Sequence, residues 1–157
     1  MDLDKKVRVY IEIEKNSNVK YEYNKETKRL EIDRILPEPY CYPFSYGYIE
    51  NTMAMDEDEL DCLILTDKKI QNDSFYDVYI VGVLIMEDEK GLDEKMLCVM
   101  EEDYDLVSDL DMLGDETITE IEYFFANYKN TTPNKWSKVR GYENKEFAIQ
   151  LYHKYLL

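Results

Sequence analysis

Val7-Arg8-Val9-Tyr10-Ile11-Glu12-Ile13 sets branched apolar residues at every second position. This period-two pattern is that of a strand with one buried face, and it places Glu12 on the side away from that face. Working outward, Val19–Tyr23, Arg29–Leu36, Cys62–Leu65, Asp77–Met86 and Met96–Met100 are further expected strands, each rich in β-branched, aromatic or aliphatic residues. Short polar connections at Asn24–Lys28 and Asp88–Lys95 suggest hairpins and a largely antiparallel sheet. A small closed or partly closed barrel would remove exposed sheet edges.

Helical spacing enters only late in the chain. Ile118, Ile121, Phe125 and Tyr128 share one face, Thr117 with Glu120 fits a capping box, and the helix should stop before Pro133. A second helix is expected from about Asn144 to the C-terminus, with Phe147, Ala148, Leu151 and Tyr155 on its apolar stripe. Strands first and helices last give an α+β class, mainly β, in one domain over residues 1–157.

Composition bounds the function. The chain has 157 residues with 19 Lys and Arg against 35 Asp and Glu, a formal net charge of -16. That length supports a real core without disulfide or zinc staples. The acidic balance argues against a general nucleic-acid or anionic-membrane surface, both of which need clustered cations. Three cysteines with no Cys-x-x-Cys point to a reducing cytoplasm. The N-terminus carries Asp2, Asp4, Lys5 and Lys6 where a signal peptide would be apolar, and no stretch approaches the roughly 20 apolar residues of a membrane span.

Scattered glycines exclude a Walker loop and a Gly-x-Gly-x-x-Gly turn, and a lone His153 leaves no Ser-His-Asp or Cys-His pair. Catalysis would have to use carboxylates, lysines, arginine, tyrosines and metal ions. The densest candidate is Asp56-Glu57-Asp58-Glu59-Leu60-Asp61, followed by Glu87-Asp88-Glu89 and Asp93, with Asp93 and Lys95 expected to project from one side of a strand end. In an acidic protein such clusters are often only solvated loops. Two like charges about 4 Å apart, however, cost about 4 kcal/mol at an effective dielectric of 20, so converging carboxylates need protons or cations. Magnesium, which takes oxygen ligands, is a natural counterion. An EF-hand is excluded because Leu60 and Asp61 stand where an oxygen ligand and a glycine belong. Lys20 and Glu22 should share a strand face, and Arg34 alternates in register with Leu30, Ile32 and Leu36, so it is read as inward, able to pair with an acid or to grip a phosphate.

These residues resemble the family I soluble inorganic pyrophosphatases of the bacterial type from about Ile11 to Glu146. The resemblance rests on Ile11-Glu12-Ile13, Lys20-Tyr21-Glu22, Asp33-Arg34, Tyr42-Pro43-x-x-Tyr46-Gly47, Asp56-x-Asp58-x-x-Asp61, Asp88-x-x-x-x-Asp93-x-Lys95, and Phe124-Phe125-x-x-Tyr128-Lys129 with Lys135-Trp136, in that order. It implies an OB-like five-stranded β barrel with an additional hairpin and two C-terminal helices, and magnesium-dependent hydrolysis of pyrophosphate to two orthophosphates. It further implies that Asp56, Asp61 and Asp93 hold metal, that Asp88 joins Asp93 on further metal, and that Glu12 and Glu22 act through water or neighbours. Asp58 would be the base on the attacking water. Lys20, Arg34, Lys95, Tyr128 and Lys129 would hold the phosphates, with Tyr46 supporting the pocket.

The chain departs from the family in two places. The signature commonly reads Asp-Gly-Asp-Pro-x-Asp, whereas Glu57 and Glu59 stand at the Gly and Pro positions. Bacterial members often carry two histidines where Tyr123 and Asn127 stand here. Those histidines commonly lie near subunit contacts, so a homo-oligomer is expected while a hexamer does not simply carry over. The competing reading is a non-catalytic metal- or phosphate-binding homologue with an altered metal loop. A purely structural OB-type interaction domain is a third, disfavoured because oligonucleotide-binding versions need a basic, aromatic face.

Overall fold

In the computed structural model, which describes residues 2–157, the first strand is β1 (Lys6–Ile13), the seam at which a sheet closes on itself. Its neighbours are β4 (Ser45–Ile49) and β6 (Ser74–Asp88), both antiparallel, with Val9 opposite Ile49 and also opposite Tyr76. The sheet continues from β4 to β5 (Asp61–Ile64), from β5 in parallel to β7 (Gly91–Met100), and from β7 back to β6. The closed ring β1-β4-β5-β7-β6 is thus a five-stranded barrel, which leaves no unsatisfied sheet edge around its circumference.

β6 is long enough to serve two partners. Its first half pairs with β1, and its second half, Gly82–Asp88, pairs with β8 (Ser137–Asn144). A separate hairpin, β2 (Val19–Asn24) with β3 (Arg29–Ile35), turns at Asn24, whose side-chain oxygen accepts from the N–H groups of Glu26 and Thr27.

The hairpin explains one difference from the sequence reading. Glu12 does lie on the face away from Val7, Val9 and Ile11, but that face is buried as well, because β2 folds over it: the Tyr23 N–H donates to the Glu12 carboxylate at 2.8 Å, and the Tyr23 ring meets Tyr10 edge-on at 5.4 Å. β1 is therefore covered on both sides from Val9 to Ile13. Asp93 and Lys95 also lie inside a strand, not in a connection. The turn between β6 and β7 is only Glu89-Lys90, where the Asp88 carboxylate accepts from the Lys90 N–H. β4 and β8 carry Tyr, Gly and charged residues, so alternation did not reveal them.

Side-chain alternation sorts the apolar residues onto two faces. On β7, Met96 and Cys98 join one cluster with Val9, Ile11, Ile64 and Ile80, while Leu97 and Val99 join a second with Leu63, Leu84 and Tyr42. Helix α2 (Lys145–Tyr155) adds Ala148, Ile149 and Leu151 to the first, and α1 (Asp115–Asn127) adds Ile121, Phe124 and Phe125 to the second. α1 begins one turn earlier than the Thr117 capping box implied, on Gly114, which supplies no side-chain cap. α2 is capped by the Asn144 side chain, which accepts from the Phe147 N–H at 3.0 Å, but Phe147 itself is exposed.

Candidate active site

The loop between β4 and β5 enters the site through a tight turn. Asp56 caps it by accepting from the Asp58 N–H at 3.1 Å, and Glu57 adopts φ 68°, so Asp56 and Asp58 sit on a turn rather than on one extended face. The loop delivers Asp56, Asp58 and, at the start of β5, Asp61 to one wall of a cleft of about 860 Å³. The opposite walls carry Glu12 from β1, Lys20 and Glu22 from β2, Tyr46 from β4, Asp88 from β6, Asp93 and Lys95 from β7, and Tyr128 and Lys129 just past α1. Every residue to which the resemblance gives a role therefore lines the cleft except Arg34, which donates from Nη1 to Thr132 Oγ1 at 2.8 Å; of the acidic runs, Glu57, Glu87 and Glu89 also stay outside it. Sequence reasoning passed over Lys25, Tyr48 and Lys90, which also face the cleft. Lysines in hairpin turns ordinarily read as solvent-facing, and only their place at the rim gives them meaning.

Lys95 organises the interior. Its ammonium donates to the Tyr46 hydroxyl at 2.7 Å, to Asp61 at 2.8 Å and to Asp93 at 3.1 Å, with the side chain only 3% exposed. Burial opposes its charge, but Asp61 and Asp93 beside it hold its pKa well above the ordinary lysine value. Desolvation raises the Asp61 pKa, with Lys95 opposing and Asp93 adding to the rise. Burial pushes Glu12 up to about 7, helped by Asp61, Glu22 and Glu59 and opposed by the Tyr23 N–H. Asp56 is raised by desolvation and by Asp93 and Asp58, against the Asp58 N–H. Asp88 is the contrary case. Burial would raise it, yet the Lys129 ammonium at 2.5 Å and the Lys90 N–H hold it low.

Lys20 donates to Asp33 at 2.7 Å. Burial would raise the Asp33 pKa, but Lys20, Arg34 and Lys135 together bring it down. Glu59 takes Lys25 as partner at 2.6 Å across the mouth of the cleft, whereas Glu57 is exposed and faces a smaller depression of about 300 Å³ that shares Asp58 and Glu59 with the cleft.

The donors suit a hard cation. Every candidate is a carboxylate oxygen, and a cation would favour the charged forms of Glu12, Asp56 and Asp61, which burial first and neighbouring carboxylates second disfavour. Among the described residues no three His, Cys, Asp or Glu side chains converge closely enough to cage a metal. Lys95 draws Asp61 and Asp93, and Lys129 draws Asp88, so a metal would compete with these lysines for the same oxygens.

The inorganic pyrophosphatase family model matches residues 9–156. The chain belongs to that family. It is 45% identical over 150 residues to an inorganic pyrophosphatase of Helicobacter pylori, covering 93% of this chain and 87% of that one, and 38% identical over 152 residues to the one of Escherichia coli K12, covering 94% and 86%. A solved Helicobacter pylori inorganic pyrophosphatase superposes with a TM-score of 0.93 at 43% identity, over 98% of this chain and 92% of that one. The Thermus thermophilus structure gives 0.91 at 34% identity, over 98% and 92%. Family membership implies a divalent metal cofactor.

Proposed function

We infer that the chain is an inorganic diphosphatase, hydrolysing pyrophosphate to two orthophosphates with magnesium as the cation. The observation that carries the reading is a single cleft in which carboxylates of the β4–β5 loop, β5, β6 and β7 face Lys20, Lys95 and Lys129 from β2, β7 and the end of α1. Pyrophosphate is a compact polyanion and needs both kinds of group. Asp56, Asp61, Asp88 and Asp93 would hold magnesium, with Glu12 within the same charge cluster. The cation supplies Lewis acidity and neutralises charge as the phosphoanhydride bond breaks.

The chain's own residues do the positioning. Lys20, Lys129 and, after release from its carboxylates, Lys95 supply donors for phosphate oxygens, while Tyr46 and Tyr128, buried and with pKa values raised by that burial, remain hydroxyl donors. Arg34 would join them on leaving Thr132, and Glu22 would act through neighbouring groups. Asp58 is assigned as the base: it faces the cleft and, among the described residues, has no ion-pair partner. A carboxylate left without a lysine can take a proton from water. What disfavours the non-catalytic homologue is that the whole set of acidic and basic positions is retained and, Arg34 aside, gathered in one cleft.

Among the described residues no helix is long and apolar enough to cross a membrane. We propose one domain over residues 1–157, a cytoplasmic location, no nucleic-acid or membrane partner, and a homo-oligomer with exposed Tyr123, stacked on Tyr40, near the contact. The deciding experiment is phosphate release from pyrophosphate with magnesium and with chelator. Release only with magnesium supports the reading, and no release under either condition overturns it.

A further inference from the structure

The acidic loop is tied down at its base by residues outside the cleft. Thr52, 2% exposed, donates its hydroxyl to the Ile49 carbonyl at 2.7 Å and accepts the Leu60 N–H at 2.9 Å, so one side chain joins the strand before the loop to the residue that ends it. The end of α2 then lies across the same segment. The Met53 N–H donates to the Tyr155 carbonyl at 2.9 Å, the Leu157 N–H donates to the Asn51 carbonyl at 2.8 Å, and Thr52 pairs with Leu156 in an antiparallel bridge. Tyr155 has a second attachment. Its hydroxyl meets both carboxylate oxygens of Glu94, at 2.9 and 3.2 Å, and both residues are buried. Glu94 stands between Asp93 and Lys95 on β7 and, by strand alternation, points to the opposite face. Tyr155 therefore touches the loop that carries Asp56 and Asp58 through its carbonyl, and the strand that carries Asp93 and Lys95 through its hydroxyl.

We propose that Tyr155 and Thr52 are positioning residues that fix the spacing between the Asp56–Asp58 loop and the Asp93–Lys95 strand, and so set magnesium affinity, without touching metal or substrate. The proposal rests on the pyrophosphatase reading for its kinetic arm only. Of the lysines assigned to phosphate only Lys95 lies on a strapped element, whereas Lys20 and Lys129 do not, so loosening the strap should alter metal response more than pyrophosphate binding.

Tyr155→Phe keeps the ring and the backbone bond but removes the hydroxyl. Thr52→Val removes both loop-base bonds at nearly constant volume, and Thr52→Ser keeps them. In the metal-free protein, amide exchange at Leu60 should quicken in Thr52→Val and return toward wild type in Thr52→Ser. The magnesium concentration for half-maximal rise in melting temperature, and for half-maximal phosphate release, should increase about three- to tenfold in Tyr155→Phe and Thr52→Val, the scale of one net hydrogen bond. KM for pyrophosphate at saturating magnesium should stay within about twofold. Unchanged magnesium half-saturation in both variants overturns the proposal, as does a Thr52→Ser variant no better than Thr52→Val, or a loss of melting temperature alone. If the wild type releases no phosphate yet melts higher with magnesium, the pyrophosphatase reading falls and the melting titrations still decide the strap. A wild type that responds to magnesium in neither assay overturns both.

Discussion

Asp58 and Glu57 are chain neighbours with different meanings, and the difference is one of direction. Asp58 faces the cleft without a lysine, so Asp58→Asn should fold and keep its melting response to magnesium, yet lose turnover by about 10²- to 10⁴-fold because an amide cannot accept the water's proton. Phosphate release at saturating magnesium measures this, and near-native activity removes Asp58 from the role. Glu57 holds φ 68° at a position where the family commonly has glycine. A left-handed backbone costs a side chain about 1 to 2 kcal/mol, partly offset by the extra freedom of glycine in the unfolded chain. Glu57→Gly should therefore stabilise the protein by about 0.5 to 1 kcal/mol in denaturant unfolding. Glu57 lies outside the large cleft, so magnesium half-saturation should not move, and a change there would show that its charge reaches the metal site. The other added acid, Glu59, is matched by Lys25, a pairing that no local sequence pattern contains.

Among the elements, legibility followed periodicity. β1, β2, β3, β6 and both helices were readable because branched, aromatic or helically spaced apolar residues mark them, and the acidic clusters stood out by charge. β4 was not, although it lies between β1 and β5 in the barrel and supplies Tyr46 to the site. Its Ser45-Tyr46-Gly47-Tyr48-Ile49 holds few β-branched residues because close approach governs it: a Cβ on Gly47 would stand 1.8 Å from the Tyr10 carbonyl oxygen. Gly47→Ala must push β4 off β1, and we expect a loss of roughly 3 kcal/mol or more, among the larger single-residue effects. Urea unfolding of the metal-free protein tests it, and a loss under about 1 kcal/mol would mean that the two strands part easily. The burial of Glu12, though not its face, escaped the sequence for a related reason. Alternation predicts a face, but a hairpin later in the chain decides whether that face meets water.

At the scale of the whole molecule, a net charge of -16 and a cleft of crowded carboxylates make protons and magnesium alternative ways of relieving the same repulsion. Glu12 is the most sensitive gauge, with a pKa of 4.5 when unperturbed and about 7 in the folded protein. A raised folded pKa gives stability that is fully present below the unfolded value and is lost as pH rises through the folded one. Asp56 and Asp61 are shifted the same way, whereas Asp88 and Asp33, held low by lysines, lose their contribution only as pH falls into the acid range. Between 4.5 and about 7 the Glu12 contribution should therefore dominate, and metal-free stability should decline across that window. The size is on the order of 3 kcal/mol at about 1.4 kcal/mol per pKa unit. Glu12→Gln, neutral at every pH, should show a flatter profile. Magnesium should reverse the trend, adding about 2.7 kcal/mol at 100 times its dissociation constant, and should act more strongly above the Glu12 pKa, where the proton no longer competes. Thermal melts of both proteins on either side of that pKa, with chelator and with magnesium, separate the contributions. If wild type and Glu12→Gln lose stability in parallel with rising pH, the cleft's proton linkage does not pass through Glu12.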